Sequence, residues 1–324
     1  MSVTPSSAAT SPFFLDCDTG IDDALALAYL LASESVDLVG IGAVSGNVSA
    51  EVGAQNTLNL LALAGRSGVP VALGSIHPLV GEYDGAVPHI HGANGVGNVE
   101  LVASTEQLVA ESAPEMLVRL AHEHAGELRL VAIGPLTNIA LALRLDPQFP
   151  SLIKEFTLMG GAALTAGNIT PVAEANIYND AEAAAEVFAA DWDITVVPLD
   201  VTLTCVLEES DRLALVASDR PVASALGNIL DLYFDFYVGT YGRRASALHD
   251  PLAVAIAVGD VPLRSAPVVH VEVDASNGPG RGQTICDMRG RLNGYPEQPG
   301  ARSRVVLELE NDFVPVLMQR LLAL

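Results

Sequence analysis

The run Phe13-Phe14-Leu15-Asp16-Cys17-Asp18-Thr19-Gly20-Ile21-Asp22-Asp23-Ala24 places four carboxylates within eight residues, directly after an apolar segment. The segment 13–16 reads as a buried strand. Gly20 allows a tight turn, and Asp22 and Asp23 open the next helix, whose N-terminal dipole favours negative charge. The dipole accounts for that pair but not for Asp16 and Asp18 at the strand end. Four carboxylates packed together repel one another unless a cation neutralises them. A solvated acidic cap is the plainer alternative. A divalent metal site explains more, and hard oxygen donors point to Ca²⁺ or Mg²⁺ rather than Zn²⁺. The run is not an EF-hand, because the position that should carry the closing Glu is Leu27.

Outward from this run, short apolar stretches alternate with longer Ala- and Leu-rich ones. Strands are expected at 13–16, 38–44, 69–73, 128–133, 155–159, 194–198 and 268–273. Helices are expected at 22–32, 52–64, 114–123, 137–144, 180–189, 223–237, 250–258 and 311–322. Near-continuous apolar strands separated by helices predict an α/β fold: a mostly parallel, doubly wound sheet with helices on both faces. Residues 1–12 read as a flexible lead-in and 13–324 as one domain, with Gly- and Pro-rich excursions at 74–98 and 277–300. In such sheets ligands sit beyond the carboxyl ends of the strands. The polar residues to inspect are therefore Asp16, Asp18, Asn47, the Gly134–Asn138 turn, Met159-Gly160-Gly161 and Asp200.

Composition narrows the function. The 324 residues carry 16 basic and 39 acidic side chains, a net charge of −23, with one lysine, Lys154. Such a surface repels phosphate backbones and anionic lipid, so neither nucleic acid nor membrane is an expected partner. Mean hydropathy is +0.37, yet no apolar run approaches the ~20 residues of a membrane span. The start of the chain lacks the basic and apolar regions of a signal peptide. Three scattered cysteines, Cys17, Cys205 and Cys286, form neither a disulfide framework nor a CxxC site. The cytoplasm is the simplest compartment. The 40–46 glycines lie within and just past a strand and are no dinucleotide loop, and neither a GxxxxGK[ST] loop nor a GxSxG elbow occurs.

The DxDxGxDD run resembles the signature of the inosine–uridine preferring nucleoside hydrolases, and five further elements follow in family order. These are Val44-Ser45-Gly46-Asn47, Ile133-Gly134-Pro135-Leu136-Thr137-Asn138, Leu158-Met159-Gly160-Gly161, Gly167-Asn168 with Ala173-Glu174-Ala175-Asn176, and Leu248-His249-Asp250-Pro251. Together they span about three quarters of the chain. The resemblance implies Ca²⁺-dependent hydrolysis of the N-glycosidic bond of ribonucleosides, a place in nucleoside salvage, and a homodimer or homotetramer. Asp18, Asp23, Asp250 and the Ile133 carbonyl resemble the Ca²⁺ ligands, with Asp18 also the general base. Asp22, Asn47 and Asn176 would hold the ribose 2′- and 3′-hydroxyls, Asn168 and Glu174 the 5′-hydroxyl, and Met159 the sugar face. His249 would protonate the departing base. His91, Tyr233 and Tyr237 would approach that base, against the alternatives of a loop histidine without a role and of plain aromatic packing. Asp16 would support the ligands from behind. Thr19 stands where the family usually has Pro, and Glu82, Tyr83 and Asp84 have no assigned place.

Tyrosine at position 233, where pyrimidine-preferring relatives tend to have glutamine, favours a broad or inosine–uridine preference. Histidine in the His-Asp-Pro element and a single tryptophan, Trp192, argue against the purine-specific subgroup. Two other classes compete. A haloacid-dehalogenase-like phosphatase would use Asp16-Cys17-Asp18-Thr19 as its nucleophile loop, but leaves Asp22, Asp23 and His249-Asp250-Pro251 unexplained. A calcium-stabilised ribose-binding protein would be expected to carry an export signal. Release of free base from inosine, or of phosphate from a phosphomonoester, separates the three.

Overall fold

The computed structural model describes residues 10–324. Its centre is an eight-stranded sheet. Six strands are β1 (Ser11–Cys17), β2 (Val36–Ala43), β3 (Val71–Leu73), β4 (Leu128–Ala132), β5 (Ile153–Met159) and β6 (Ile194–Val197), in the order β3-β2-β1-β4-β5-β6. All adjacent pairs among them are parallel. Ser303–Val305 extends the sheet parallel to β6, and Val268–Val269 closes that edge antiparallel. This is the expected mostly parallel α/β sheet. The order reverses between β1 and β4, which opens a crevice at their carboxyl ends.

Alternation along β1 sends Phe13, Leu15 and Cys17 into the core on one face of the sheet and Phe14 into the core on the other. The first core is covered by α1 (Ile21–Leu31), α2 (Ala50–Leu63) and the helices Pro221–Tyr241, His249–Val258 and Val314–Ala323. The second is covered by Ala113–Glu123, Thr137–Leu145 and Ala181–Ala189. The sheet is thus buried on both sides, which is why its strands read as apolar runs rather than alternating ones. Among the described residues no helix is long and apolar enough to cross a membrane.

Three expectations need correction. The lead-in 1–12 is too long: residues 1–9 lie outside the described residues, but Ser11 and Pro12 already pair with Val36 and Asp37. A proline is tolerated there because it sits at the start of the strand. The strand at 268–273 is two strands. Val268–Val269 belongs to the main sheet, whereas Val271–Val273 turns away to pair with Thr284–Cys286. His270 lies at the break, its N–H donating to Gln298 Oε1. The last helix begins at Val314 rather than 311.

Candidate active site

The end of β1 and the segment just past β2 deliver polar side chains to the crevice. β1 ends in Asp16 and leads to Asp18, and the turn through Gly20 starts α1 with Asp22 and Asp23. The Asp23 carboxylate closes this turn on itself, accepting from Gly20 N at 2.8 Å and Asp18 N at 3.2 Å. Asn47, just past β2, donates its backbone N–H to Asp18 Oδ2 at 2.6 Å and its amide to Asp23 Oδ2 at 3.1 Å. A Cβ at Gly46 would run into Asp18 Oδ2, so only glycine lets the β2 end approach so closely.

Asp250, in the first turn of the His249–Val258 helix, completes the cluster. One carboxylate oxygen each from Asp22, Asp23 and Asp250 lies within 4.8 Å of the others, and all three residues are buried. Among the described residues, one buried oxygen of Asp18 and one of Asp22, Oδ1 in each, has no hydrogen-bond partner. Burial, then the neighbouring negative charges, raises these groups. Asp22 is pushed up to about 7, and Asp18 and Asp250 well above the usual carboxylate range. Asp16 stands apart from the cluster, accepting from Asn138 Nδ2 at 2.8 Å, and burial pushes it up to about 8. Buried anionic oxygens without partners are costly unless a cation or protons compensate them. An oxygen-only donor set fits a hard divalent cation. The tight triad includes Asp22, which was expected to serve the sugar, while Asp18 sits beside it.

Hydrogen bonds tie several of the other expected residues to the strand ends. Asn176 donates to the Ile133 carbonyl at 2.8 Å and to the Met159 carbonyl at 3.2 Å. Glu174 is buried, and its oxygens accept the N–H groups of Asn176, Ile177 and Gly161. It therefore caps the short Ala175–Asn179 helix as well as bordering the site. Asn168 is exposed and accepts from Ala175 N at 3.0 Å.

His91 is buried at the end of the short Pro88–His91 helix, its Nδ1 accepting from Ile21 N at 3.0 Å. A Cβ on Gly20 would come within 2.5 Å of that nitrogen, so this glycine admits the ring. Burial lowers His91 to about 3. Its ring lies 5.6 Å from that of Tyr233, whose hydroxyl donates to Asp22 Oδ2 at 3.0 Å. The Tyr233 and Tyr237 rings meet edge to face at 4.9 Å. Tyr237 Oη is 2.6 Å from His249 Nε2, and burial lowers His249 to about 4.

Two residues had no assigned role in the sequence. Tyr83 hangs over the site from the 74–98 excursion, its hydroxyl donating to Gly46 O at 3.4 Å. Burial, then the Asp18 charge, pushes it up to about 12. Thr202, in the single-turn Leu199–Thr202 helix after β6, is fully buried with Oγ1 2.7 Å from His249 Nδ1. The polar residue singled out after β6, Asp200, instead receives the N–H groups of Ala163 and Leu164, both at 2.7 Å.

Comparisons with known proteins agree with this geometry. The family model described as "Inosine-uridine preferring nucleoside hydrolase" matches residues 13–314. The chain is 36% identical over 303 residues to the inosine-uridine preferring nucleoside hydrolase of Leishmania major, covering 92% of this chain and 93% of that protein. It is 38% identical over 244 residues to the probable uridine nucleosidase 2 of Arabidopsis thaliana, covering 75% and 76%. The solved structure of a plant nucleoside hydrolase, PpNRh1, superposes with a TM-score of 0.89 at 32% identity over 97% of this chain and 99% of that one. The chain belongs to the inosine-uridine preferring nucleoside hydrolase family and is an enzyme that hydrolyses the N-glycosyl bond of ribonucleosides.

Proposed function

We propose that the reaction depends on Ca²⁺ and accepts both purine and pyrimidine ribonucleosides, with a broad or inosine–uridine preference. The carrying observation is the buried triad of Asp22, Asp23 and Asp250 beside Asp18, with unpartnered oxygens on Asp18 and Asp22. Asp18, Asp23, Asp250 and the Ile133 carbonyl would hold the ion, with the Asp22 carboxylate at its edge. Bound there, Ca²⁺ supplies charge that neutralises the carboxylates and lowers the pKa of a water.

The chain's own groups do the rest. Asp18 takes the proton of the attacking water through its free Oδ1. Asp22, Asn47 and Asn176 bind the 2′- and 3′-hydroxyls. Asn168 and Glu174 address the 5′-hydroxyl, and Met159 packs against the sugar. Carboxylates beneath the ring stabilise the positive charge that develops on the ribose. Negative charge develops on the base, and the side facing it carries His91, Tyr233 and the Tyr237–His249 pair. His249 and Tyr237 supply hydrogen to the departing base. Aromatic faces without a dedicated hydrogen-bond pattern support acceptance of more than one base.

The reading extends to a place in nucleoside salvage, in the cytoplasm, as a homodimer or homotetramer. The deciding experiment incubates the protein with inosine, uridine and a phosphomonoester, before and after prolonged chelation. Free base from both nucleosides, lost on chelation and restored by Ca²⁺, is expected. Unchanged activity in verified calcium-free protein overturns the metal requirement, and cleavage of one nucleoside alone overturns the breadth.

A further inference from the structure

The hydrogen-bond inventory around His249 leaves one hydroxyl with a single option. Thr202 is buried at 0% exposure, and among the described residues its Oγ1 has one hydrogen-bond partner, His249 Nδ1 at 2.7 Å. A threonine hydroxyl both donates and accepts. If Nδ1 carried the ring hydrogen, Thr202 would accept it, and its own hydrogen would be left buried without an acceptor. An unmet buried donor of this kind costs about 1–3 kcal/mol. If instead Thr202 donates to Nδ1, its hydrogen and both ring nitrogens are satisfied, and the hydrogen left over is that of Tyr237, which at 7% exposure is less sealed than the fully buried Thr202.

From this we infer that Thr202 is a positioning residue that holds His249 with its ring hydrogen on Nε2. The consequence runs outward. Nε2–H then donates to the Tyr237 hydroxyl 2.6 Å away. Tyr237 accepts that bond, so its own hydrogen is free to point elsewhere. The ring of Tyr237 packs edge to face on Tyr233, whose hydroxyl donates to Asp22. Under the proposed reading of this side of the crevice as the one that serves the departing base, the hydrogen of Tyr237 is available to that base. With the opposite tautomer, Tyr237 would spend its hydrogen on Nε2 and offer the base none. His91 is held in the same sense by different means: Ile21 N–H donates to its Nδ1, leaving the hydrogen on Nε2. Both histidines thus present Nε2–H, one fixed by a backbone amide and the other by Thr202.

The role of Thr202 in turnover rests on the proposed reading of His249 and Tyr237 as the groups that serve the base, whereas the tautomer itself does not. The test reads the two separately. Ring ¹⁵N spectra of the full-length protein, with the His249 signals identified by their loss in His249→Gln, report which nitrogen carries hydrogen. Wild type and Thr202→Ser are expected to show the hydrogen on Nε2. Thr202→Val, which keeps the shape and removes the hydroxyl, is expected to shift the signals toward a mixture of the two tautomers. Hydrogen on Nδ1 in wild type, or an unchanged spectrum in Thr202→Val, overturns the inference. Should Thr202→Val fail to fold, wild type and Thr202→Ser still decide it.

In turnover, Thr202→Val is expected to lower kcat on inosine about tenfold or more, a fraction of what a general acid contributes. The loss on p-nitrophenyl riboside should be much smaller, and Thr202→Ser should restore the inosine rate. Equal losses on both substrates mean a merely structural threonine and overturn the role in turnover. If His249→Ala itself slows both substrates equally, the acid reading of His249 has failed, and the ring spectra still stand or fall on their own.

Discussion

The backbone N–H of Ile21 donates to Nδ1 of His91, 70 positions further along the chain, at 3.0 Å. The first turn of α1, which carries Asp22 and Asp23, is thus closed by a side chain from the 74–98 excursion. The adjoining Gly97 lies so close to the Pro221–Tyr241 helix that a Cβ would meet the Ile229 carbonyl. The excursion thus packs between the first turn of α1 and that helix. His91→Ala should therefore lower stability by about 1–3 kcal/mol, combining a lost cap with an unmet buried donor. Ca²⁺ affinity should fall with it, since the turn bearing Asp23 loosens. Thermal unfolding and calorimetric Ca²⁺ titration check both, and a wild-type melting temperature would remove the capping role.

Without Ca²⁺, stability should fall as pH rises from 6.5 to 8. Asp22 is raised to about 7 and Asp16 to about 8, both above the ordinary 3.8. The folded state therefore holds protons that the unfolded chain has already released, and the associated stability is lost as pH climbs through those values. His91 and His249 are lowered from 6.5, to about 3 and about 4. Their contribution is complete above 6.5 and is lost only as pH falls below it, so the window 6.5–8 isolates the carboxylates. Scanning fluorimetry across this window should show a falling Tm in chelated protein. Added Ca²⁺ should raise Tm more at pH 8 than at pH 6.5. A Tm flat with pH in calcium-free protein would contradict the buried cluster as described.

The ribose diol should be required. Asp22, Asn47 and Asn176 all border the crevice with polar atoms, and a site built to bond a hydroxyl rejects the analogue lacking it by roughly 10⁴–10⁵. The ratio of kcat/KM for inosine and 2′-deoxyinosine measures this directly. Near-equal values would take those three residues off the sugar.

His249→Ala should slow inosine by about 10²–10⁴, the range of a general acid. It should leave p-nitrophenyl riboside almost untouched, since nitrophenolate departs without a proton. Asp18→Asn, by contrast, should be nearly inactive on both, because the water must be deprotonated whichever group leaves. Rates at saturating Ca²⁺ with both substrates separate the two residues. Equal losses in His249→Ala would pass the acid role to His91 or to the tyrosine pair.

Much of this arrangement was legible in the residues. The strand–turn–helix around Asp16–Asp23 needed only an apolar run, a glycine and an acidic first turn, all local signals. The doubly wound sheet followed from apolar strands alternating with helices. The short pieces were not legible. Val206–Glu208 and Ala245–Ala247 form a two-stranded ribbon of three residues each, too short for any periodicity to register. Thr202 was missed for a related reason. It sits in a four-residue helix, and its partner His249 lies 47 positions away, so no spacing rule connects them. Asp22 joined the carboxylate triad because α1 turns its first residues toward the His249–Val258 helix, a packing fact that sequence order does not contain.

Under the proposed reading Tyr233 approaches the departing base, yet its hydroxyl donates to Asp22. A lineage drifting toward a different nucleobase would find position 233 an inviting place to vary. Under the proposed reading, each replacement there also strips a hydrogen bond from a carboxylate at the metal. Changing diet at this position therefore carries a toll in turnover, unless the replacement can still reach Asp22. Glutamine can donate such a bond and phenylalanine cannot. Of the two, glutamine is the substitution through which a shift in base preference could pass while the carboxylate cluster stays intact.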